Sequence, residues 1–152
     1  MARTDVPRRR DYARFHAVTS RWLDNDVYGH VNNATYFAYF DSAINHHLIA
    51  RGGLDPAGGT VVGWVVSSRC DFFRPLRYPD AVEIGLRADR IGRSSATYGV
   101  AAFRAGDDEA RAAGAMTHVF VDRATSRPVP IPAALRRALE EIAHARPGSG
   151  TP

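Results

Sequence analysis

One short stretch holds most of the residue types that could do chemistry. It reads Trp22-Leu23-Asp24-Asn25-Asp26-Val27-Tyr28-Gly29-His30-Val31-Asn32-Asn33-Ala34-Thr35-Tyr36. Two carboxylates, Asp24 and Asp26, lie in a loop just ahead of a helical pattern. Gly29 permits a sharp turn or a close backbone approach. The helix that follows opens with unpaired N–H groups and the positive end of its dipole. A carboxylate facing such a helix start is half of a hydrolytic site. The N–H groups hold an oxyanion while the carboxylate attacks or acts as a base. Asp24, Asp26, Asn32 and Asn33 equally suit plain capping and turn formation, so residue type alone leaves both readings open.

Other reactive types are weaker candidates. Ser94, in Gly92-Arg93-Ser94-Ser95-Ala96, has part of a nucleophile-elbow pattern, but Ala96 stands where the last glycine belongs. His46 and His47 are neighbours on a helix and point about 100° apart, so one metal could hardly use both. No metal site is expected. Cys70 sits in a strand pattern and reads as an inert, buried thiol. His30 either orients the loop or touches substrate. Arg77, Arg93 and Arg127 lie near turns, where a guanidinium could meet phosphates.

These residues need a scaffold, and the hydrophobic pattern supplies one. A strand is expected over residues 13–21 and a loop over 22–32. Tyr36, Tyr39, Phe40, Ala43, Ile44, His47 and Leu48 then recur at helical spacing. Phe37 and Ala38 fall off that stripe, so the helix is expected to be enclosed over more than one face. Asn32 or Asn33 is a suitable N-cap, and Gly52-Gly53 a suitable stop. Strands are expected over 60–73, 81–90, 95–104 and 110–122, with Gly106-Asp107-Asp108 as a turn. A short helix over 133–145 follows Pro130 and Pro132. The order is strand, long helix, four strands, short helix. Short turns favour antiparallel pairing, and a curved sheet would enclose the helix. The expected fold class is α+β, a five-stranded antiparallel sheet wrapped around one long central helix. Residues 1–12 are expected as a flexible N-terminal arm, 13–146 as a single domain and 147–152 as a disordered tail.

Composition narrows the classes. The chain has 152 residues, 45% of them apolar and 24% charged, which suits one globular domain. No apolar run approaches the ~20 residues of a membrane span. The N-terminus has charge but no apolar signal region, and Cys70 has no second cysteine to pair with. A cytoplasmic protein with no membrane partner is expected. Every basic residue is arginine, and the net charge is +4. Arg3, Arg8, Arg9, Arg10 and Arg14 cluster near the start, but zinc spacing and aromatic RNA-binding motifs are missing, so no nucleic acid is expected. The positive balance suits a small anion carrying phosphates.

The string Asp26-x-x-Gly29-His30-Val31-Asn32-Asn33-x-x-Tyr36 resembles the signature of the 4-hydroxybenzoyl-CoA thioesterase family, in the branch with long-chain acyl-CoA thioesterases. The segments 74–80, 91–95 and 121–132 resemble, in order, later loops of that family. The resemblance runs from about residue 14 to residue 140. It implies a hotdog fold and sites shared between the subunits of a homodimer or homotetramer. It implies acyl-CoA as substrate and no cofactor. Carried over by motif, Asp26 is the catalytic carboxylate and the Asn33 backbone N–H the oxyanion donor; Gly29, His30, Tyr36, Arg93 and Ser94 are the candidate substrate-binding residues. Asp24 is read as a loop residue, and Asp41 falls about where many relatives carry a helix glutamate. Phe37, Phe40, Trp64, Phe72 and Phe73 are candidate pocket walls. Two competing readings share the fold. A non-catalytic acyl-CoA-binding protein would not need Asp26, and a hydratase would need an Asp/His pairing that is not evident. Acyl carrier protein could replace CoA as carrier.

Overall fold

The computed structural model describes residues 5–144. The expected tail, 147–152, and Arg3 lie outside the described residues. The elements are β1 (Arg14–Thr19), α1 (Asn33–Gly52), β2 (Val61–Phe72), β3 (Ala81–Ile91), β4 (Ser95–Arg104), β5 (Ala112–Asp122) and α2 (Ala133–Glu140). The strands form one antiparallel sheet in the order β1-β3-β4-β5-β2. With α1 packed against it, this is the hotdog arrangement.

The helix α1 starts and stops where its side chains require. Asn32 caps it, its Oδ1 accepting from the Ala34 N–H at 2.9 Å. Gly53 ends it at φ +67°, a left-handed conformation that glycine adopts without steric cost. The buried face is Tyr36, Tyr39, Phe40, Ala43, Ile44, His47 and Leu48, together with Gly52. Phe40, Ile44 and Leu48 are wholly buried, each contributing about 1.5–3 kcal/mol by leaving water. They share one buried cluster with Ile84, Val100 and Phe120 from the sheet and Leu139 from α2. Enclosure over more than one face, expected from Phe37 and Ala38, extends only as far as the partly buried Phe37. Ala38, Asp41, Ser42, His46 and Ile49 are exposed, because the sheet covers only the stripe.

Residues 5–12 also differ from the flexible arm expected of them. Arg8 bridges Asp108 and Glu109 at 2.8 Å each, and the Ala110 N–H donates to the Pro7 carbonyl. Tyr12 is buried edge-on against Phe103, with the Arg87 guanidinium over its ring. The Arg9 guanidinium lies over Phe15 and Phe103. Arg8 and Arg9 are thus held by carboxylates and aromatic faces.

His47 and His46 diverge on α1. His47 Nε2 lies 2.7 Å from the Ala138 carbonyl, whereas the His46 ring lies against His16 of β1 at 4.5 Å. Burial, and then His46, lower the His16 pKa; burial, partly opposed by Asp41, lowers that of His118. His118 is 1% exposed, with Nδ1 3.3 Å from the Tyr98 hydroxyl. Both folded values lie below the unfolded one of about 6.5, so below that pH the unfolded chain binds more protons. Stability is expected to be fully present above about pH 6.5 and lost as pH falls through the depressed values. Thermal melts from neutral to mildly acidic pH should show this, with a shallower slope in His118→Gln. Equal slopes in the two proteins would remove His118 from the account.

Candidate active site

The loop between β1 and α1 is a miniature hairpin. Asn25 bridges Val31, the Asp26 N–H donates to the His30 carbonyl at 2.9 Å, and the Gly29 N–H donates to the Asp26 carbonyl at 3.0 Å. Gly29 takes φ +78° with open space around it, so backbone conformation, not crowding, requires glycine there. The hairpin is held from outside as well. The Val31 N–H donates to the Leu76 carbonyl at 2.8 Å, and the Tyr78 N–H to Asn25 Oδ1 at 3.0 Å.

The two carboxylates of the loop have different environments. Asp24 is 3% exposed, and its Oδ2 accepts from the Tyr39 hydroxyl at 2.6 Å. Asp26 is half-buried; its Oδ1 accepts from the Tyr28 N–H at 2.8 Å, and its second oxygen has no hydrogen-bond partner among the described residues. One oxygen is therefore anchored and the other is available.

At the helix start, the Ala34 N–H is taken by Asn32 Oδ1 and Asn33 Oδ1, and the Thr35 N–H by the Asn32 carbonyl. The Asn33 N–H has no acceptor among the described residues. It is the first-turn amide left for a ligand.

Asp26 and Asn33 border one pocket of about 600 Å³, the size of a small-molecule site. Tyr28, His30, Asn32 and Arg74 add further charged and hydrogen-bonding groups, with Val31, Tyr36, Phe72, Phe73 and Pro75 as its walls. Tyr36 is fixed there by an edge-on contact with Phe72 and by the Leu76 N–H, which donates to its hydroxyl at 3.3 Å. Burial raises the Tyr36 pKa, so the phenol stays neutral.

Several expected site residues lie elsewhere. Gly29 belongs to an adjoining surface cleft with Trp22 and Val27. Arg93 and Ser94 form the β3–β4 turn, with backbone carbonyls accepting from Ile131 and Phe120. Ser95 pairs with Val119, and β2 meets Val119 at Trp64; the pocket's Phe72 is at the other end of β2, level with Ala112 and Ala102. Seven residues of strand separate Ser95 from Ala102, or about 23 Å. The structure therefore does not bring Arg93 and Ser94 to this pocket. A strand-to-strand turn is also the wrong setting for a nucleophile elbow. Of the aromatic candidates, Phe72 and Phe73 line the pocket, Phe40 is core, Phe37 packs against the core and Trp64 is half exposed on β2. Asp41 is exposed and outside the lining. Burial pushes the Cys70 thiol up to about 11, away from reactivity. Among the described residues, no group of three or more His, Cys, Asp or Glu could hold a metal ion. Sequence reasoning missed Arg74; the one signal for it was its place in the 74–80 segment.

A single antiparallel sheet packed on one long helix, with a carboxylate hairpin at the helix start, defines the class of hotdog thioesterases. The sequence profile of the thioesterase-like superfamily matches residues 20–139, and the chain belongs to that superfamily. Among solved structures, it is similar to the PA5185 protein of Pseudomonas aeruginosa PAO1, with 53% identity and a TM-score of 0.91 over 92% of this chain and 98% of that one. A thioesterase of Thermus thermophilus, complexed with coenzyme A and Zn, is 29% identical with a TM-score of 0.69, covering 87% of this chain and 95% of that one. A 1,4-dihydroxy-2-naphthoyl-CoA thioesterase of Synechocystis shares the fold, at 17% identity and a TM-score of 0.76 over 86% and 98%. The Bacillus subtilis (strain 168) protein YsmA is 26% identical over 86 residues, a match spanning 57% of this chain and 58% of that protein.

Proposed function

We propose that this protein hydrolyses thioesters of coenzyme A to a free acid and CoA. The observation that carries this reading is the meeting, in one pocket, of a half-anchored carboxylate and an unpaired helix-start amide. Asp26 attacks the thioester carbonyl, expelling the CoA thiolate to give a mixed anhydride that water then hydrolyses to the free acid, or it takes a proton from a water that attacks directly. The Asn33 N–H holds the charge that develops on the carbonyl oxygen. The thiolate of CoA is a good leaving group and needs no metal. Val31, Tyr36 and Phe72 offer the acyl group an apolar wall, and Arg74 offers a phosphate a cation. The CoA complex of the Thermus thermophilus thioesterase supports that ligand class. Thiol release from a panel of acyl-CoAs, aliphatic and aromatic, with acyl carrier protein thioesters alongside, tests the reading. Release from CoA substrates is expected. Binding of acyl-CoA without release from any of them would replace it with a non-catalytic binder.

The site is completed by a second copy in this reading. Among the described residues β2 is an edge strand paired only with β5, and Trp64, Val65 and Val66 along it are about half exposed. A 12-residue edge, apolar along its first half from Val61 to Val66, invites pairing. Antiparallel self-pairing of β2 about a two-fold axis would reverse the second sheet, bringing its β3–β4 turn to the end where this pocket opens. Arg93 and Ser94 of the second copy would then face the substrate. Sedimentation at low micromolar concentration is expected to show two or four times the chain mass of 16.7 kDa. An active monomer would show that one protomer holds the whole site.

A further inference from the structure

We infer that Asp24 and Tyr39 are a positioning pair that sets where Asp26 stands relative to the start of α1. The inference rests on the thioesterase reading of the Asp26 pocket and adds to it two residues that touch no substrate. Asp24 is outside the pocket lining, buried at 3% exposure. Its Oδ2 accepts from the Tyr39 O–H at 2.6 Å and from the Arg21 N–H at 2.8 Å. Its own carbonyl accepts from the Asn32 N–H at 2.9 Å. One residue is thus tied to the cap of α1 through its backbone and to the interior of α1 through its carboxylate. Tyr39 lies on the buried stripe, six residues or about 9 Å along the axis from Asn33. Two points on a rigid helix define a position better than one.

The hairpin that carries Asp26 begins one residue after Asp24 and closes back on Asn32. A shift of Asp24 therefore moves Asp26 relative to the Asn33 N–H. Burial and the adjacent carboxylate both raise the Tyr39 pKa, so its O–H remains a donor throughout the ordinary pH range. A buried carboxylate deprived of this donor keeps its desolvation cost and seeks a new partner, which displaces the loop. The contact also explains a difference between two acids of the same type two positions apart: one is held, and the other is left with a free oxygen.

Tyr39→Phe is the mild test, because the ring that packs in the core is retained; Asp24→Asn and the double variant complete a cycle. Each single variant is expected to fold and to lose about 10- to 10²-fold in kcat, with KM changed far less. The double variant should lose no more than the worse single, since the two act as a unit. Amide exchange supplies a readout independent of activity. The N–H groups of Asp26, Gly29 and Asn32 should exchange faster in all three variants, while those of the β3–β4 pairing do not. Unchanged exchange at these three amides overturns the inference, as does a variant with faster exchange but parental kcat. Asp26→Asn serves as the separate control. If it hydrolyses as the parent does, the thioesterase reading of Asp26 fails on its own, and the positioning role falls with it whatever the exchange shows. If Asp26→Asn is inactive and Tyr39→Phe keeps parental kcat, only the positioning pair fails.

Discussion

Asp26→Asn is expected to lose about 10²-fold or more in kcat while keeping its fold and its affinity for a non-hydrolysable acyl-CoA. The substitution separates two jobs of one side chain. Oδ1 accepts from the Tyr28 N–H at 2.8 Å and so holds the turn, and the Asn carbonyl can accept the same bond. The second oxygen, free among the described residues, becomes an amide that can neither attack a carbonyl nor take a proton from water. Geometry is preserved and reactivity is removed. The measurement is kcat and KM by thiol release, with binding of the analogue followed by calorimetry. Turnover like the parent's would sink Asp26 as the working carboxylate. Asp24→Asn should cost less, because Asp24 acts only through the position of its neighbour.

The scaffold was more legible in the amino-acid sequence than the site. The apolar stripe of α1 runs at helical spacing from Tyr36 to Leu48, so local pattern alone marks its buried face. Asn32 and Gly53 cap it by chemistry that needs no tertiary information. The packing of residues 5–12 was not legible, because Arg8 finds its carboxylates about 100 positions away. Asp24 and Asp26 could not be told apart by type; what separates them is a hydroxyl that α1 delivers from its second turn, a matter of tertiary geometry. The same holds for the aromatic candidates. Phe40 falls on the helical stripe and is core, whereas Phe72 and Phe73 gain their place from where β2 ends. Arg93 and Ser94 sit in a turn that resembles the family's, yet strand register puts that turn at the opposite end of the sheet from Phe72. A local match in sequence does not fix which end of the sheet a turn occupies.

Asn33→Pro is expected to lose roughly 10²- to 10³-fold in kcat, the scale of one oxyanion donor, while Asn33→Ala keeps much of the activity. A backbone donor is untouched by truncating the side chain above it, so the two variants separate amide from carboxamide. Proline removes the N–H outright, and the local structure should tolerate it. Asn33 is the first residue of α1, the helical position where proline is over-represented. The residue before a proline prefers extended backbone, and Asn32 already stands at φ −59° and ψ 139°. The cap survives too, since Asn32 Oδ1 still accepts from the Ala34 N–H when Asn33 Oδ1 is gone. Circular dichroism and binding of the same analogue check that the proline variant is folded and occupied. Under those conditions a low kcat with a near-parental binding constant identifies an interaction made chiefly in the transition state. If folded Asn33→Pro turns over as fast as Asn33→Ala, the Asn33 amide is not the donor. The oxyanion would then have to be held by another N–H of the Asp26 hairpin, and the role assigned to the helix start would move with it.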